Sequence, residues 1–294
     1  METRRIIIVF LLFIGILVAG SLIYFAANSQ GKSDNGKIGV AVSIGPEVEF
    51  VKAVGGDKVD VTLMVPSGSD PHTYEPLPGQ LSQVSNAKMY AEVGTPVEFE
   101  TNYMDKIKSA NSHMLVVNCS KGIKLIPNTA ENEENTIDPH VWTGPKNAKI
   151  MVENIYQGLV QVDPSDEAYF QKNRDHYLQQ LDELDKNTTQ LLKGKQGTTI
   201  LIFHPAFGYY CKDYNLTMVA AMINDEEPSP QRIAMLVNTA KQNNIKVVFT
   251  EPQYGPKYMQ SVASQIGGQV VFVNDLDENY LQNMESTAKA FSQA

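Results

Sequence analysis

The chain has 294 residues, which is enough for two domains of ordinary size, each with its own core. Its formal net charge of -9 argues against a nucleic-acid-binding protein, because such proteins need a basic face. Only two cysteines occur, Cys119 and Cys211, so a zinc finger, an iron–sulfur cluster and a disulfide-dense scaffold are excluded. The two could pair in an oxidising compartment or stay as separate buried thiols, and both alternatives are open at this point.

The chain begins with a strongly apolar segment. Arg4 and Arg5 precede an apolar stretch at residues 6–27, which is long enough to span a bilayer as a helix. The two arginines predict a cytoplasmic N-terminus and therefore an extracytoplasmic location for the rest. We predict that residues 1–27 are a transmembrane anchor or a signal peptide, with the anchor favoured by length, and that residues 28–36 are a flexible tether. If the segment is cleaved, the protein is secreted or periplasmic.

From residue 37 onward, β-rich runs alternate with helical patterns. Strands are predicted at residues 37–43, 59–65, 88–93 and 114–118, and helices at residues 46–54, 78–86, 95–110 and 145–162. This alternation indicates a parallel α/β unit, which we assign to residues 37–162. Ligands of such sheets lie outside the carboxyl ends of the strands. The loop at residues 67–70, after the second predicted strand, brings His72 to that location.

A long helical pattern follows at residues 163–195 and corresponds to roughly 50 Å at 1.5 Å per residue. It could be an ordinary surface helix or a rigid helix that joins two lobes. The alternation of strands and helices then restarts. Strands are predicted at residues 199–203, 216–220, 245–250 and 269–273, and helices at residues 205–212, 230–243, 255–266 and 278–294. Residues 196–294 are therefore predicted to form a second α/β lobe, with a cleft between the two lobes.

Three histidines occupy positions that suit a metal site in this cleft. The tripeptide Asp-Pro-His ends at His72 and again at His140, and His204 follows the apolar run 199–203 and precedes a proline. Proline fixes φ, so a Pro-His pair holds its histidine in a stiff segment. Neutral imidazole is a common ligand for zinc and for other transition metals. We predict that these three histidines bind one ion.

A carboxylate would complete a tetrahedral set of four ligands. Asp275 and Glu251 both follow apolar strand runs, and we favour Asp275, while Asp277 or a water molecule stays open as an alternative. The two other histidines, His113 and His176, are predicted to be structural or solvent-facing. Three imidazoles and one carboxylate favour zinc, although manganese or iron would also be compatible with such a site.

Five ordered motifs resemble those of the zinc/manganese solute-binding proteins of ABC importers, the TroA-like group that includes high-affinity zinc-uptake proteins. They are Asp-Pro-His-Thr-Tyr-Glu-Pro at 70–76, Asp-Pro-His-Val-Trp at 138–142, His-Pro-Ala-Phe-Gly-Tyr at 204–209, Glu-Pro-Ser-Pro at 227–230 and Phe-Thr-Glu-Pro-Gln at 249–253. The resemblance implies two α/β lobes bridged by one long helix, with the metal held between them by His72, His140 and His204. Manganese members of the family usually carry glutamate at the third histidine position, so His204 favours zinc.

The resemblance also implies a function. The protein would capture zinc, with manganese as the second candidate, as transported cargo and deliver it to a membrane permease that a cytoplasmic ATPase drives; it would not be an enzyme. We expect a monomer. The chain departs from the family in three respects. Ser21 follows Gly20 with no cysteine nearby for lipidation, and the acidic segment 129–136 lacks the histidines that zinc members often carry there. The region of the fourth ligand, at residues 273–277, does not align unambiguously with the family's aspartate.

Two other functions are also compatible with these patterns. If Asp275 does not bind the ion, three histidines with an open water position would match the catalytic site of a zinc hydrolase, with Glu75 or Glu251 as the catalytic carboxylate. A metal-binding surface adhesin of the same fold would suit the predicted anchor and tether, because a fold alone does not determine function.

Overall fold

Two four-stranded sheets organise residues 36–128 and 136–294, the part of the chain that the computed structural model describes. The predicted anchor at residues 1–27 lies outside these residues, and so do the tether up to residue 35 and the acidic segment up to residue 135. Among the described helices, none combines the length and the apolar character that crossing a membrane requires.

The first sheet has the strand order β2-β1-β3-β4, and all of its pairs are parallel. Its strands are β1 (Ile38–Val42), β2 (Val59–Leu63), β3 (Met89–Glu92) and β4 (Leu115–Asn118). The helices of this lobe are α1 (Gly45–Gly55), α2 (Pro78–Val84) and α3 (Glu98–Ala110). In the central strand, Val40 pairs with Val61 on one side and with Met89 on the other. Helices cover both faces of such a sheet, which explains why β1 is apolar along its whole length.

The second sheet repeats this arrangement with the order β6-β5-β7-β8, again in parallel pairs. Its strands are β5 (Thr199–Ile202), β6 (Thr217–Ala220), β7 (Val247–Thr250) and β8 (Gln269–Phe272). The associated helices are α6 (Gly208–Asp213), α7 (Pro230–Gln242), α8 (Lys257–Ile266) and α9 (Tyr280–Phe291). Ser229 caps α7, since its hydroxyl oxygen accepts a hydrogen bond from the Arg232 N–H at 3.2 Å. The predicted pair of parallel α/β lobes is confirmed.

Two helices connect the lobes, α4 (Pro145–Val162) and the 25-residue α5 (Glu167–Leu191). The predicted long helix at 163–195 is shorter than expected, because a 3₁₀ turn at Pro164–Asp166 precedes it. The Asp163 carboxylate accepts the Ser165 N–H at 3.1 Å and stabilises this turn. Helix α5 packs against α1 of the first lobe and α9 of the second, as expected of a helix that joins two lobes.

The two lobes are in direct contact, and residues 38–294 form one compact unit. The indole N–H of Trp142 in the first lobe donates to the Asp275 carbonyl oxygen of the second at 2.8 Å. The Thr143 hydroxyl donates to the Ala206 carbonyl oxygen at 3.0 Å. The proposed boundaries at residues 37–162, 163–195 and 196–294 stay predictions within this unit.

The structure also gives the positions of the two cysteines and of the two histidines outside the predicted metal site. Cys119 and Cys211 are both free and buried, so they are separate thiols. His113 and His176 are exposed, as predicted for solvent-facing side chains.

Candidate metal site

Three loops bring His72, His140 and His204 together between the lobes. His72 lies in the loop after β2, His140 directly precedes the 3₁₀ turn Val141–Thr143, and His204 follows β5 by two residues. One ring nitrogen of each histidine lies within 4.8 Å of one ring nitrogen of each of the others. The ring centroids are 5.6 Å apart for His72 and His140, 5.0 Å for His72 and His204, and 4.9 Å for His140 and His204. The structure therefore brings together the three histidines that the sequence singles out.

The ring nitrogens of two of these histidines face each other closely. The Nε2 atoms of His140 and His204 are 2.9 Å apart. Two nitrogens that bind one tetrahedral zinc ion at 2.0–2.1 Å would lie about 3.3 Å apart. A separation of a few tenths of an ångström more would thus let both nitrogens bind the same ion.

Each histidine uses its other ring nitrogen, Nδ1, for a protein contact. His72 Nδ1 is 2.5 Å from Glu98 Oε2, and His140 Nδ1 is 2.8 Å from Asp138 Oδ1. His204 Nδ1 is 3.4 Å from the Met222 sulfur. A hydrogen on Nδ1 that donates to these partners leaves Nε2 with a free lone pair, which is the form that binds metal.

The two Asp-Pro-His tripeptides share a local turn but differ in the contact of the imidazole. In both, the aspartate Oδ1 accepts the backbone N–H of the histidine at 2.9 Å. Asp138 also contacts the ring Nδ1 of His140, whereas the ring Nδ1 of His72 contacts Glu98 and not Asp70. The turn explains why aspartate occurs two residues before each histidine, and the second contact makes Asp138 the more important of the two for ring orientation.

The charge state differs between His72 and His204. Burial alone would lower the pKa of His72, but its hydrogen bond to Glu98 and the nearby carboxylates raise that pKa to about 9. Burial, together with the charges of His140 and His72, lowers the pKa of His204 well below its usual value. An ion that binds here must therefore displace a proton from His72 but not from His204.

The predicted fourth ligand, Asp275, is buried close to the histidines but is not part of their cluster. Its Oδ1 accepts a hydrogen bond from Gln253 Nε2 at 3.0 Å. Among the described residues, the donor atoms that lie within 4.8 Å of one another in this cluster come from the three histidines alone. Glu251 lies behind His204 and accepts its backbone N–H at 3.3 Å, and Asp277 accepts the Asn279 N–H at 2.8 Å. The role of Asp275 stays a prediction.

Two contacts of this site are not predictable from sequence patterns. Glu98 is the first residue of α3, where an acidic residue is ordinary at any helix N-terminus. Met222 follows β6 by two residues, just as His204 follows β5, but an apolar residue at that position gives no sign of a polar role. Only the rule that ligands gather at strand ends could have drawn attention to Met222.

The three histidines line a cavity of about 350 Å³. Glu98 of the first lobe and Asp225 of the second also line it, and their side chains are 39 % and 44 % exposed. The His72 side chain is 8 % exposed, and both other histidines are buried. The cavity therefore has a buried, nitrogen-rich inner part and an acidic opening.

Comparison with known proteins identifies the family of this chain. The family model "ZnuA: Zinc-uptake complex component A periplasmic" matches residues 40–294. The chain is 32% identical to the high-affinity zinc uptake system protein ZnuA of Bacillus subtilis (strain 168) over 271 residues, which cover 85% of this chain and 83% of that protein. It superimposes on a crystal structure of ZnuA with a TM-score of 0.83 and 32% identity, over 88% of this chain and 99% of the other.

Two further relatives differ in the metal that their names give. The zinc-binding lipoprotein AdcA of Streptococcus pneumoniae (strain ATCC BAA-255 / R6) is 28% identical over 299 residues, and the match covers 92% of this chain but only 58% of AdcA. The manganese ABC transporter substrate-binding lipoprotein PsaA of Streptococcus anginosus is 29% identical over 256 residues, which cover 83% of this chain and 82% of PsaA. With residues 40–294 matched by the family model, the chain belongs to the ZnuA family, whose members are metal-binding components of transporters and not hydrolases or other enzymes.

Proposed function

We propose that this chain is the extracytoplasmic substrate-binding component of an ABC importer, which captures zinc between its lobes and delivers it to a membrane permease. The observation that carries the proposal is the convergence of three imidazoles at the strand ends of two lobes. Each imidazole has a partner for Nδ1, so each can present Nε2 to the same ion. Such an arrangement suits reversible capture of an ion as cargo.

The donor set supports zinc over manganese. The proposed ligands are His72, His140 and His204, with Asp275 or a water molecule as the fourth. Nitrogen-rich sites suit zinc, whereas manganese prefers carboxylates and water. Asp275 is held by Gln253 and lies outside the cluster, which leaves the inner cavity with nitrogen donors and the Met222 sulfur beside them. Manganese stays the second candidate, since one relative bears its name.

The remaining parts of the proposal concern location and partners. The matched family is described as periplasmic and two relatives are named as lipoproteins, which supports an extracytoplasmic location. Residues 1–27 would hold the protein at the membrane, or would be removed if the segment is a signal peptide. The expected partners are a permease and its ATPase, and the expected state is a monomer.

Zinc binding is tested by thermal melting and titration calorimetry of the purified protein. A ligand that binds only the folded state raises its stability, by about 4 kcal/mol at a concentration 1,000 times the Kd. We expect one zinc ion per chain in a tight event and a clear rise in Tm. His204→Ala should abolish both effects, whereas His113→Ala, at an exposed histidine outside the site, should leave them unchanged. An equal loss in the two variants would contradict the proposal.

Delivery to a permease needs a separate experiment. Deleting the gene in its own host should impair growth in medium depleted of zinc, and added zinc should restore it. Expression of the wild-type chain should rescue growth, and expression of His204→Ala should not. A deletion strain that takes up zinc normally would contradict the transport role while leaving zinc binding intact.

A further inference from the structure

We propose that His72, Glu98 and Asp225 form a second, weaker divalent-cation site at the opening of the cleft, which an ion occupies before it reaches the three histidines. The order of binding rests on the proposed function, but the existence of the site does not. One donor atom from each of these residues lies within 4.8 Å of the other two.

The geometry sets two carboxylates around one imidazole nitrogen. His72 Nδ1 is 2.5 Å from Glu98 Oε2 and 3.9 Å from Asp225 Oδ2. Glu98 begins α3 in the first lobe, whereas Asp225 lies in the loop between β6 and α7 of the second. Nδ1 of His72 therefore faces donors from both lobes.

The electrostatic setting favours a cation at this place. Among the ion pairs of the described residues, neither carboxylate has a lysine or arginine as its partner, and both are paired with the His72 ring. One carboxylate oxygen of Glu98 lies within 4.8 Å of one of Asp225, so the two like charges repel each other. A divalent cation between them would relieve this repulsion.

The chemistry of the donors indicates a weak and exchangeable site. One imidazole and two carboxylates can hold zinc or manganese, and the exposed carboxylates leave room for water ligands. The shared histidine links this site to the inner one, because an ion at the opening already contacts a ring whose other nitrogen faces the cavity. Transfer inward would then exchange carboxylate ligands for His140 and His204 without returning the ion to bulk solvent.

The test uses Asp225→Asn with Glu226→Gln as its matched control. Asp225 has φ of 53°, and asparagine tolerates this left-handed backbone region as well as aspartate does. Glu226 is an exposed neighbour that lies outside the cluster. Because one imidazole cannot bind an ion through Nε2 and through a protonated Nδ1 together, the two sites are filled in turn, and the site at the opening should affect the rate of zinc capture. In stopped-flow competition with a fluorescent zinc chelator, Asp225→Asn should capture zinc several-fold more slowly than the wild-type protein with little change in affinity. Glu226→Gln should leave both the rate and the affinity unchanged.

A second measurement isolates the site from the inner one. In the double variant His140→Ala/His204→Ala, added manganese should still bind in a one-to-one ratio, detected by loss of the free Mn²⁺ signal in electron paramagnetic resonance. Adding Asp225→Asn to this variant should abolish that binding. Zinc capture by Asp225→Asn at the wild-type rate, or manganese binding that Asp225→Asn does not change, would overturn the inference. Absence of zinc binding by the wild-type protein would instead contradict the proposed function.

Discussion

The two lobes share one scaffold. In each, the central strand is flanked by the next strand on one side and by the following strand on the other. In each, the first helix after that strand begins at a glycine that lies against the opposite lobe. A Cβ on Gly45 would lie 2.0 Å from the Leu276 carbonyl oxygen, and a Cβ on Gly208 would lie 2.1 Å from Asp138 Oδ2. The common topology thus sets how closely the lobes approach.

The lobes differ in the side chains that contact Nδ1 of their histidines. His72 and His140 of the first lobe contact the carboxylates of Glu98 and Asp138, whereas His204 of the second contacts the sulfur of Met222. A carboxylate partner makes an imidazole more basic and fixes its orientation, and a thioether does this only weakly. One scaffold therefore supplies two histidines with a carboxylate partner and one with a thioether partner, and this division predicts which substitutions weaken zinc binding most.

The largest effect is expected for Asp138→Asn. Asp138 is buried and contacts both the backbone N–H and the ring of His140. It therefore fixes the orientation of this ligand through two contacts. We expect zinc binding to weaken about 10- to 100-fold, which is the usual cost of losing such a contact. Competition with a chelator of known affinity measures this change.

The matched control is the aspartate of the other tripeptide. Asp70→Asn keeps an oxygen that can accept the His72 N–H and leaves the ring contact with Glu98 untouched. Its effect should be a small fraction of that of Asp138→Asn. Equal losses in the two variants would show that the turn, and not the ring contact, determines affinity.

An intermediate effect is expected from pH. The pKa of His72 is raised to about 9, so its protonated form stabilises the metal-free fold fully below about pH 6.5, and this contribution is lost as the pH rises through about 9. Zinc must displace that proton. We therefore expect apparent zinc affinity to rise about tenfold per unit between about pH 7 and pH 9.

Glu98→Gln provides the comparison for this pH dependence. Without the Glu98 charge, the pKa of His72 should fall, because burial lowers this pKa and Glu98 makes the largest contribution that raises it. The affinity curve should then become flat at a lower pH than in the wild-type protein. Calorimetry in buffers of different ionisation enthalpy would count the released protons, and an unchanged count would contradict this assignment.

The sequence predicts the scaffold better than these contacts. Apolar runs ending in Gly, Pro or polar residues mark all eight strands of the described part of the chain, and the two Pro-His pairs together with the strand-end His204 mark the convergence. The Nδ1 partners cannot be predicted in this way, because Glu98 is 26 residues from His72 and resembles any acidic residue in a first helical turn. Side-chain direction after β8 is likewise not encoded in a local pattern, which is why the position of Asp275 required the structure.

The smallest effect is expected for Met222→Leu, which tests the second-lobe side of the comparison. Leucine has nearly the volume of methionine and should pack in the same buried place at a cost below about 1.5 kcal/mol. It removes only a weak sulfur acceptor, so zinc affinity should fall no more than a few-fold. Met222→Glu would instead give His204 a carboxylate partner like those of the first lobe, provided that the variant folds, and should add a proton to the number that zinc displaces. If Met222→Leu weakened zinc as strongly as Asp138→Asn, the thioether would be as important as a carboxylate, and the proposed asymmetry between the lobes would be wrong.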